Sequence, residues 1–342
     1  MPLVSVIVPN YNHAPYLRQR LDSIFNQTFQ DFEVIILDDC STDNSKEIIE
    51  EYRNRPQVSH VVYNETNSGS PFKQWAKGFD LAQGEYIWIA ESDDWAELNL
   101  LEKLYNAHQS NSKLCLAFSD SMFMYPDRQE HYPAFSNDVE ISGLRFIKEK
   151  LLFSNVIVNA SAVLFRKNSI PKNSEYQQYR TAGDYLFWVQ ICESGDVFYK
   201  NKCLNHFRKH SSNTTSLNLA NGILFKEELK VYQYLKSRYH LTKKIQNYTV
   251  LCWRSRLKVL EQQASQKSLE TIREAKNDWG KEISYPSLTQ TLCYTRLLIR
   301  KLTSRRHTQK HPWEEPFKNI GFWGLIWGIL HLPNTNFRKW LT

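Results

Sequence analysis

No CxxC pair occurs among the six cysteines of this 342-residue chain, Cys40, Cys115, Cys192, Cys203, Cys252 and Cys293. Their scatter argues against a zinc site or a disulfide framework and leaves ordinary reduced thiols. No basic n-region precedes the first apolar run, Leu3-Val4-Ser5-Val6-Ile7-Val8, so a secretory signal is not expected and the default compartment is the cytoplasm. The tail stretch GFWGLIWGILHL at 321–332 has twelve apolar-leaning residues, too few for the roughly 20 that span a bilayer. Glycine and proline are sparse, at 11 and 12, and no internal repeat or low-complexity segment is present, which excludes disordered and fibrous classes. What remains is an ordered globular composition, 42% hydrophobic and 13% aromatic, long enough for one large core and an appendage.

The net charge of +7 hides an asymmetry. Residues 221–342 hold 22 Lys/Arg against 9 Asp/Glu, whereas residues 1–220 hold 21 against 27. Two units are therefore expected, an acidic one over 1–220 and a basic, mostly helical one over 221–342. A basic unit suits nucleic acid or an anionic membrane surface. Nucleic acid is not expected, because no reading motif accompanies the charge. Arg296 to His311 carries six Lys/Arg and no acid, and Trp323, Trp327 and Trp340 lie beyond it with Arg338 and Lys339. That composition fits an interfacial segment on an anionic leaflet, with packing onto the protein's own domain or a partner chain as the alternative.

The first third alternates β-rich runs with amphipathic stretches, which predicts βαβ units and a mainly parallel sheet. Strands are expected at 3–8, 32–37, 58–63, 86–90 and 114–118, and helices at roughly 14–27, 43–53, 71–83 and 97–110, the second capped by Ser41-Thr42-Asp43. Further sheet is expected within 154–166, loop at 177–181, a helix from Gly183 to about Ser194 and a closing loop at 205–216. Ligands of open α/β sheets sit beyond the carboxyl ends of the strands. Pro9-Asn10-Tyr11-Asn12, Asp38-Asp39 and Glu91-Ser92-Asp93-Asp94 all fall there.

Three carboxylates in four residues at the end of a buried strand repel one another and are costly to desolvate. A capped, solvated turn is the plain reading. A divalent hard cation explains the cluster better, because Mg2+ or Mn2+ is commonly held by one or two carboxylates plus substrate phosphates. Asp38-Asp39 forms an Asx turn in the plain reading; alternatively a carboxylate there accepts from a nucleoside, with Tyr11 offering an aromatic face.

These segments carry a resemblance. VSVIVPNYNHAPYLRQRLDSIFNQTFQDFEVIILDDCSTDNS, then NETNSG, then LAQGEYIWIAESDDW resemble the inverting family 2 glycosyltransferases of GT-A fold, closely over about 3–110 and more loosely to about 216. The resemblance implies an α/β, Rossmann-like sheet flanked by helices, with a C-terminal helical appendage. It implies a nucleoside-diphosphate sugar donor, a glycan or lipid-linked acceptor, and Mn2+ or Mg2+. Pro9, Tyr11 and Asp39 match the positions that hold the base, and Lys73 lies where a basic residue often approaches the nucleotide. Glu91-Ser92-Asp93 aligns with the Asp-x-Asp motif, with Asp93 at the metal ligand, Glu91 one methylene longer than the usual Asp at the ribose contact, and Asp94 the further acid after the motif. Asp184 in TAGDYLFW matches the acid that deprotonates the acceptor hydroxyl; a favourable partner for a helix dipole is its plain reading. Arg208 and His210, in Arg208-x-His210-x-x-Asn213, match the closing segment in which Arg meets the diphosphate and His completes the metal shell. For a lipid-linked acceptor, the location implied is peripheral, on the inner face of the cytoplasmic membrane.

Two other functions compete. A sugar-nucleotide nucleotidyltransferase usually opens with a Gly-rich, Arg-containing loop after the first strand, where this chain has PNYNH. A non-catalytic membrane-associated module on a transferase scaffold fits poorly with acids at Asp93 and Asp184.

Overall fold

β-Branched and aromatic runs, VSVIVPN, FEVIILD and YIWI, form strands buried along their whole length, as expected of a parallel sheet covered on both faces. The computed structural model describes residues 1–210, 222–243 and 266–282, with scattered residues between 245 and 261. The chain divides into two compact units, Met1–Ser211 and Ser212–Thr342. In the first unit the order is β1 (Val4–Asn10), α1 (Ala14–Phe25), β2 (Phe32–Asp38), α2 (Ser45–Tyr52), β3 (Val58–Tyr63), α3 (Pro71–Leu81), β4 (Tyr86–Ile89), β5 (Trp95–Ala96), α4 (Leu100–Ser110) and β6 (Leu114–Met124). It continues through β7 (Gln129–His131), β8 (Val139–Ser142), α5 (Gly143–Phe146), β9 (Val163–Arg166), α6 (Gly183–Cys192) and β10 (Asp196–Arg208).

The sheet runs β3-β2-β1-β4-β9-β6-β10-β5, with β7 against β6 and β8 against β10. Its first four strands are parallel, whereas β9 is antiparallel to both β4 and β6. The expected mainly parallel sheet thus holds for β3-β2-β1-β4 and becomes mixed beyond it. Val6 and Val8 join Leu17, Leu21, Ile24 and Leu104 in one buried cluster. On the other face Trp75 and Phe79 of α3 meet Phe165, Phe187 and Trp188 through ring contacts of 5.6–6.1 Å. Helix α6 is apolar almost all round and buried from Tyr185 to Cys192, which marks a core helix rather than a surface one.

Four local expectations change. β6 runs on to Met124, because Ser119, Asp120 and Ser121, which read as the strand's end, are buried and partnered. Asp120 accepts from Tyr199 Oη at 2.5 Å and from the Ala134 N–H at 3.3 Å, and its Oδ2 lies 2.9 Å from His131 Nε2. Residues 205–208 of the expected closing loop are instead the end of β10, a strand whose register shifts around Cys203 break the alternation a reader looks for, and 211–216 lie outside the described residues. Within 154–166 only Val163–Arg166 is strand, and a short helical turn, Glu175–Gln178, reaches into the loop expected at 177–181. The residue at the N-cap position of α2 is Asn44, and Asp43 acts from the position before it, accepting from the N–H groups of Ser45 and Ala14.

In the second unit α7 (Ile223–Arg238) and α8 (Gln266–Lys281) are helical as expected. Trp279 stacks on Trp253 at 5.3 Å and donates to Phe225 O. The basic and Trp-rich tail, with Trp323, Trp327, Trp340, Arg338 and Lys339, lies outside the described residues, as does Asn213. Among the described residues no helix is long and apolar enough to cross a membrane.

A buried histidine on α4 supplies a stability test. His108 is 1% exposed, and its Nε2 is 3.1 Å from Leu164 O. Burial pushes its pKa from the ordinary 6.5 down to about 4, so the unfolded chain takes up this proton first on acidification. The stability it protects is complete above pH 6.5 and is lost as pH falls toward 4. Urea unfolding between those pH values is expected to show about 3 kcal/mol more loss in the wild type than in His108→Gln; equal losses would refute the assignment.

Candidate functional site

The carboxyl ends of β1, β2 and β4 are built from side chains that bond one another before any ligand is considered. After β1 and β2 the chain turns through two non-glycine residues in the left-handed region, Asn12 (φ 56°) and Cys40 (φ 64°), a sparsely used conformation that needs local support. Asn12 Oδ1 accepts from the Thr42 N–H, and its own N–H donates to Ser41 Oγ. Asn10 Nδ2 donates to Asp38 Oδ1 and to Ser41 Oγ. Asp38 therefore locks the two loops together, and only Asp39 is turned toward the NETNSG segment. The Asp39 carboxylate accepts from Asn64 Nδ2, the Ser68 N–H and hydroxyl, and Gln74 Nε2, at 2.6–2.9 Å. Pro9 is buried and Tyr11 is 46% exposed beside it. Lys73 is exposed and donates to Ser68 O at 2.9 Å.

The three acids after β4 turn three ways. Glu91 Oε1 accepts from Trp75 Nε1 at 2.9 Å; burial, reinforced by Asp93, pushes its pKa up to about 8. Asp94 is fully buried, and its Oδ2 accepts from Asn159 Nδ2 and Ser161 Oγ, each at 2.8 Å, while Oδ1 accepts from the Arg208 N–H at 3.0 Å. Burial and Asp93 raise its pKa to about 6. Asp94, expected at the donor, is thus turned inward, unexposed and with both carboxylate oxygens hydrogen-bonded. Asp93 faces the histidines. Its Oδ2 lies 3.1 Å from His210 Nε2, and although burial opposes ionisation, the His210 hydrogen bond and the neighbouring imidazoles hold its pKa below the usual range.

His13 completes the group and was missed by the sequence reading. One ligand atom each from His13, Asp93 and His210 lie within 4.8 Å of one another. The backbone explains how His13 gets there. It occupies the N-cap position of α1 without a side-chain cap hydrogen bond, and the Ala14 N–H is taken by Asp43. Its ring is free to turn to the acid loop, where Nδ1 sits 2.8 Å from the Ser92 hydroxyl. Two imidazole nitrogens and a carboxylate oxygen at this spacing fit a divalent ion.

Arg208, expected at the diphosphate, is held by the protein. Its Nη1 donates to Asp93 O at 2.6 Å and its Nη2 to Gln19 Oε1 at 2.7 Å, and its guanidinium stacks on Tyr16 and Trp95 at 4.3 and 4.7 Å. Asp184 stands in the first turn of α6, partly exposed, with Oδ2 accepting from Asn155 Nδ2 at 3.0 Å. A Cβ on Gly183 would meet Tyr176 O at 2.5 Å and the Phe72 ring at 2.6 Å, so this glycine lets α6 dock on α3 rather than opening space beside the acid. The same docking brings Phe187 and Trp188 onto Trp75, whose indole holds Glu91.

Beneath the loop, Arg20 is fully buried, donates Nε to Glu91 O at 2.8 Å and pairs with Asp94 at 3.9 Å; burial lowers its pKa to about 10, leaving it charged at neutral pH. Removing one member of a buried pair strands the other. Arg20→Met is expected to cost about 3–5 kcal/mol, read by denaturant unfolding at pH 7, and a loss under 1 kcal/mol would contradict the pairing.

Residues 5–170 match the family model described as Glycosyl transferase family 2. The chain is 29% identical over 216 residues, 63% of its own length and 82% of the relative's, to TuaG of Bacillus subtilis (strain 168), a protein whose name assigns it to teichuronic acid biosynthesis as a glycosyltransferase. It is 40% identical over 107 residues to the glycosyltransferase GlyG of Streptococcus pneumoniae, covering 31% of this chain and 35% of GlyG. It is 41% identical over 100 residues to the poly(ribitol-phosphate) beta-N-acetylglucosaminyltransferase TarS of Staphylococcus aureus, covering 29% of this chain and 17% of TarS. Among solved structures, S. aureus TarS 1–349 in complex with UDP-GlcNAc superposes with a TM-score of 0.55 at 19% identity over 84% of this chain and 93% of that one. The mannosyltransferase PcManGT from Pyrobaculum calidifontis, in complex with GDP-Man and Mn2+, gives 0.52 at 14% identity over 97% and 88%. At such identities the likeness shows a common GT-A α/β fold.

Proposed function

From the match of residues 5–170 to the Glycosyl transferase family 2 model, we propose that the chain transfers a sugar, with inversion, from a uridine-diphosphate sugar to a hydroxyl of a glycan or lipid-linked acceptor. The observation that carries this reading is the gathering of His13, Asp93 and His210 within 4.8 Å at the carboxyl edge of the sheet. That edge also presents Asp39 and Tyr11. Pro9 and Tyr11 flank the base, and Asp39 accepts its N–H, in the place now taken by the rotatable Ser68 hydroxyl. Lys73 and the charge of Arg208 complement the phosphates, while the backbone-directed hydrogen bonds of Arg208 keep the acid loop in place. Glu91 stands toward the ribose, held by Trp75. Asp93 and His210 hold Mn2+ or Mg2+. When bound, the ion neutralises the charge that grows on the departing diphosphate.

Asp184 is the base in this reading. A carboxylate in the first turn of a helix, steadied by Asn155, is fixed in direction, which lets it take the acceptor proton without a rotamer search. Inversion needs no second carboxylate as a covalent nucleophile. Asp184→Asn keeps the size and the bond to Asn155 within reach but cannot accept the proton. Transfer in this variant is expected to fall at least 100-fold while UDP affinity, by calorimetry, stays within about twofold; turnover near the wild-type rate would refute the role.

We assign the basic region over 221–342 to an anionic membrane surface, on the strength of its charge and of Trp323, Trp327 and Trp340. The full chain is expected to float with vesicles containing anionic lipid at low salt and to be released at high salt. A chain that stays in the dense fraction at low salt would favour packing of those aromatics on protein.

A further inference from the structure

We propose that the ion at this edge takes three protein ligands, with His13 as the third beside Asp93 and His210. The inference rests on the donor-site reading above and adds to it the third ligand.

The ligand count follows from how the loop is held. Of the acids after β4, Glu91 is turned to the Trp75 indole and Asp94 to Asn159, Ser161 and Arg208. One carboxylate, Asp93, is left to meet the ion, and the groups beside it are imidazoles. Ligands about 2.1 Å from a common ion lie at most about 4.2 Å apart, so separations within 4.8 Å need to close by roughly half an ångström. His210 Nε2 is already 3.1 Å from Asp93 Oδ2.

The orientation of His13 points the same way. Metal-bound histidines characteristically have their second ring nitrogen engaged, which fixes tautomer and ring plane. Here His13 Nδ1 sits 2.8 Å from Ser92 Oγ, and Ser92 is 1% exposed, within the acid motif itself. Nε2 is then the ligating atom. Tyr16 packs on His210 at 5.2 Å and on His13 at 6.2 Å, walling one side of the cluster. Three protein ligands leave positions open for diphosphate oxygens.

The test is Mn2+ binding to the full-length metal-stripped protein, followed by the loss of the free Mn2+ EPR signal, with pulsed EPR counting directly bound nitrogens. The wild type is expected to bind Mn2+ through two nitrogens. His13→Gln is expected to weaken Mn2+ at least tenfold and to leave one nitrogen, with UDP affinity in EDTA unchanged as the check on folding. One bound nitrogen in the wild type, or Mn2+ affinity within twofold of wild type in His13→Gln while Asp93→Asn loses the ion, would overturn the third ligand and leave the donor-site reading standing. A wild type that holds no Mn2+ would overturn both this inference and the metal part of the donor-site reading.

Discussion

The carboxylate of Asp94 is the constraint on which the site depends. Moving an ionised carboxylate out of water costs several kcal/mol even after relaxation, and here the cost is offset by donors from three distant parts of the chain. Asn159 and Ser161 come from the turn before β9, the Arg208 N–H from the end of β10, and the Arg20 charge from α1. Ser161 also accepts the Glu91 N–H through its hydroxyl and the Trp88 indole through its carbonyl. The loop after β4 is therefore fixed by its own last acid, and that is what allows the other two to be aimed differently, Glu91 at Trp75 and Asp93 at the histidines.

The topology supplies the partners. β1 and β4 are neighbours in register, with Val6 opposite Trp88 and Ile7 opposite Ile89, so the turn carrying His13 and the loop carrying Asp93 leave the sheet side by side. β10 returns along β6 and ends against β5, delivering Arg208 and His210 to the same edge from nearly 120 residues away in sequence. Arg208 acts there as a clamp, its ring contacts on either side and its hydrogen bonds joining α1 to the acid loop. The packing that holds α6 against α3 ties Asp184 into this framework through Phe187, Trp188 and Trp75.

The parallel half of the sheet was legible because strands buried on both faces read as unbroken Val, Ile and Leu runs, and because amphipathic helices separate them. The edge acids were legible for the opposite reason, since charge at the end of such a strand demands an explanation. β10 was not, because DVFYKNKCLNHFR is polar and its bulges spoil the alternation. The continuation of β6 was hidden by Ser119-Asp120-Ser121, whose burial depends on Tyr199 and on the turn around Ala134. The roles within the acid cluster were only partly readable. Sequence marks three carboxylates as a group, but which of them is turned inward depends on Ser161 and Asn159, residues that carry no signal of their own. His13 was passed over because a lone histidine before a helix carries no signal of its own, and it becomes informative only when the fold sets it beside Ser92, Asp93 and His210.

Crystals of the full chain grown with Mn2+ and UDP, measured at the manganese absorption edge, test the central claim most directly. An anomalous peak is expected about 2.1 Å from an Asp93 oxygen, with the Asp94 carboxylate still turned inward on Ser161 and Asn159. An Asp93 without a peak beside a bound UDP, or an Asp94 swung out to take the ion itself, would contradict it.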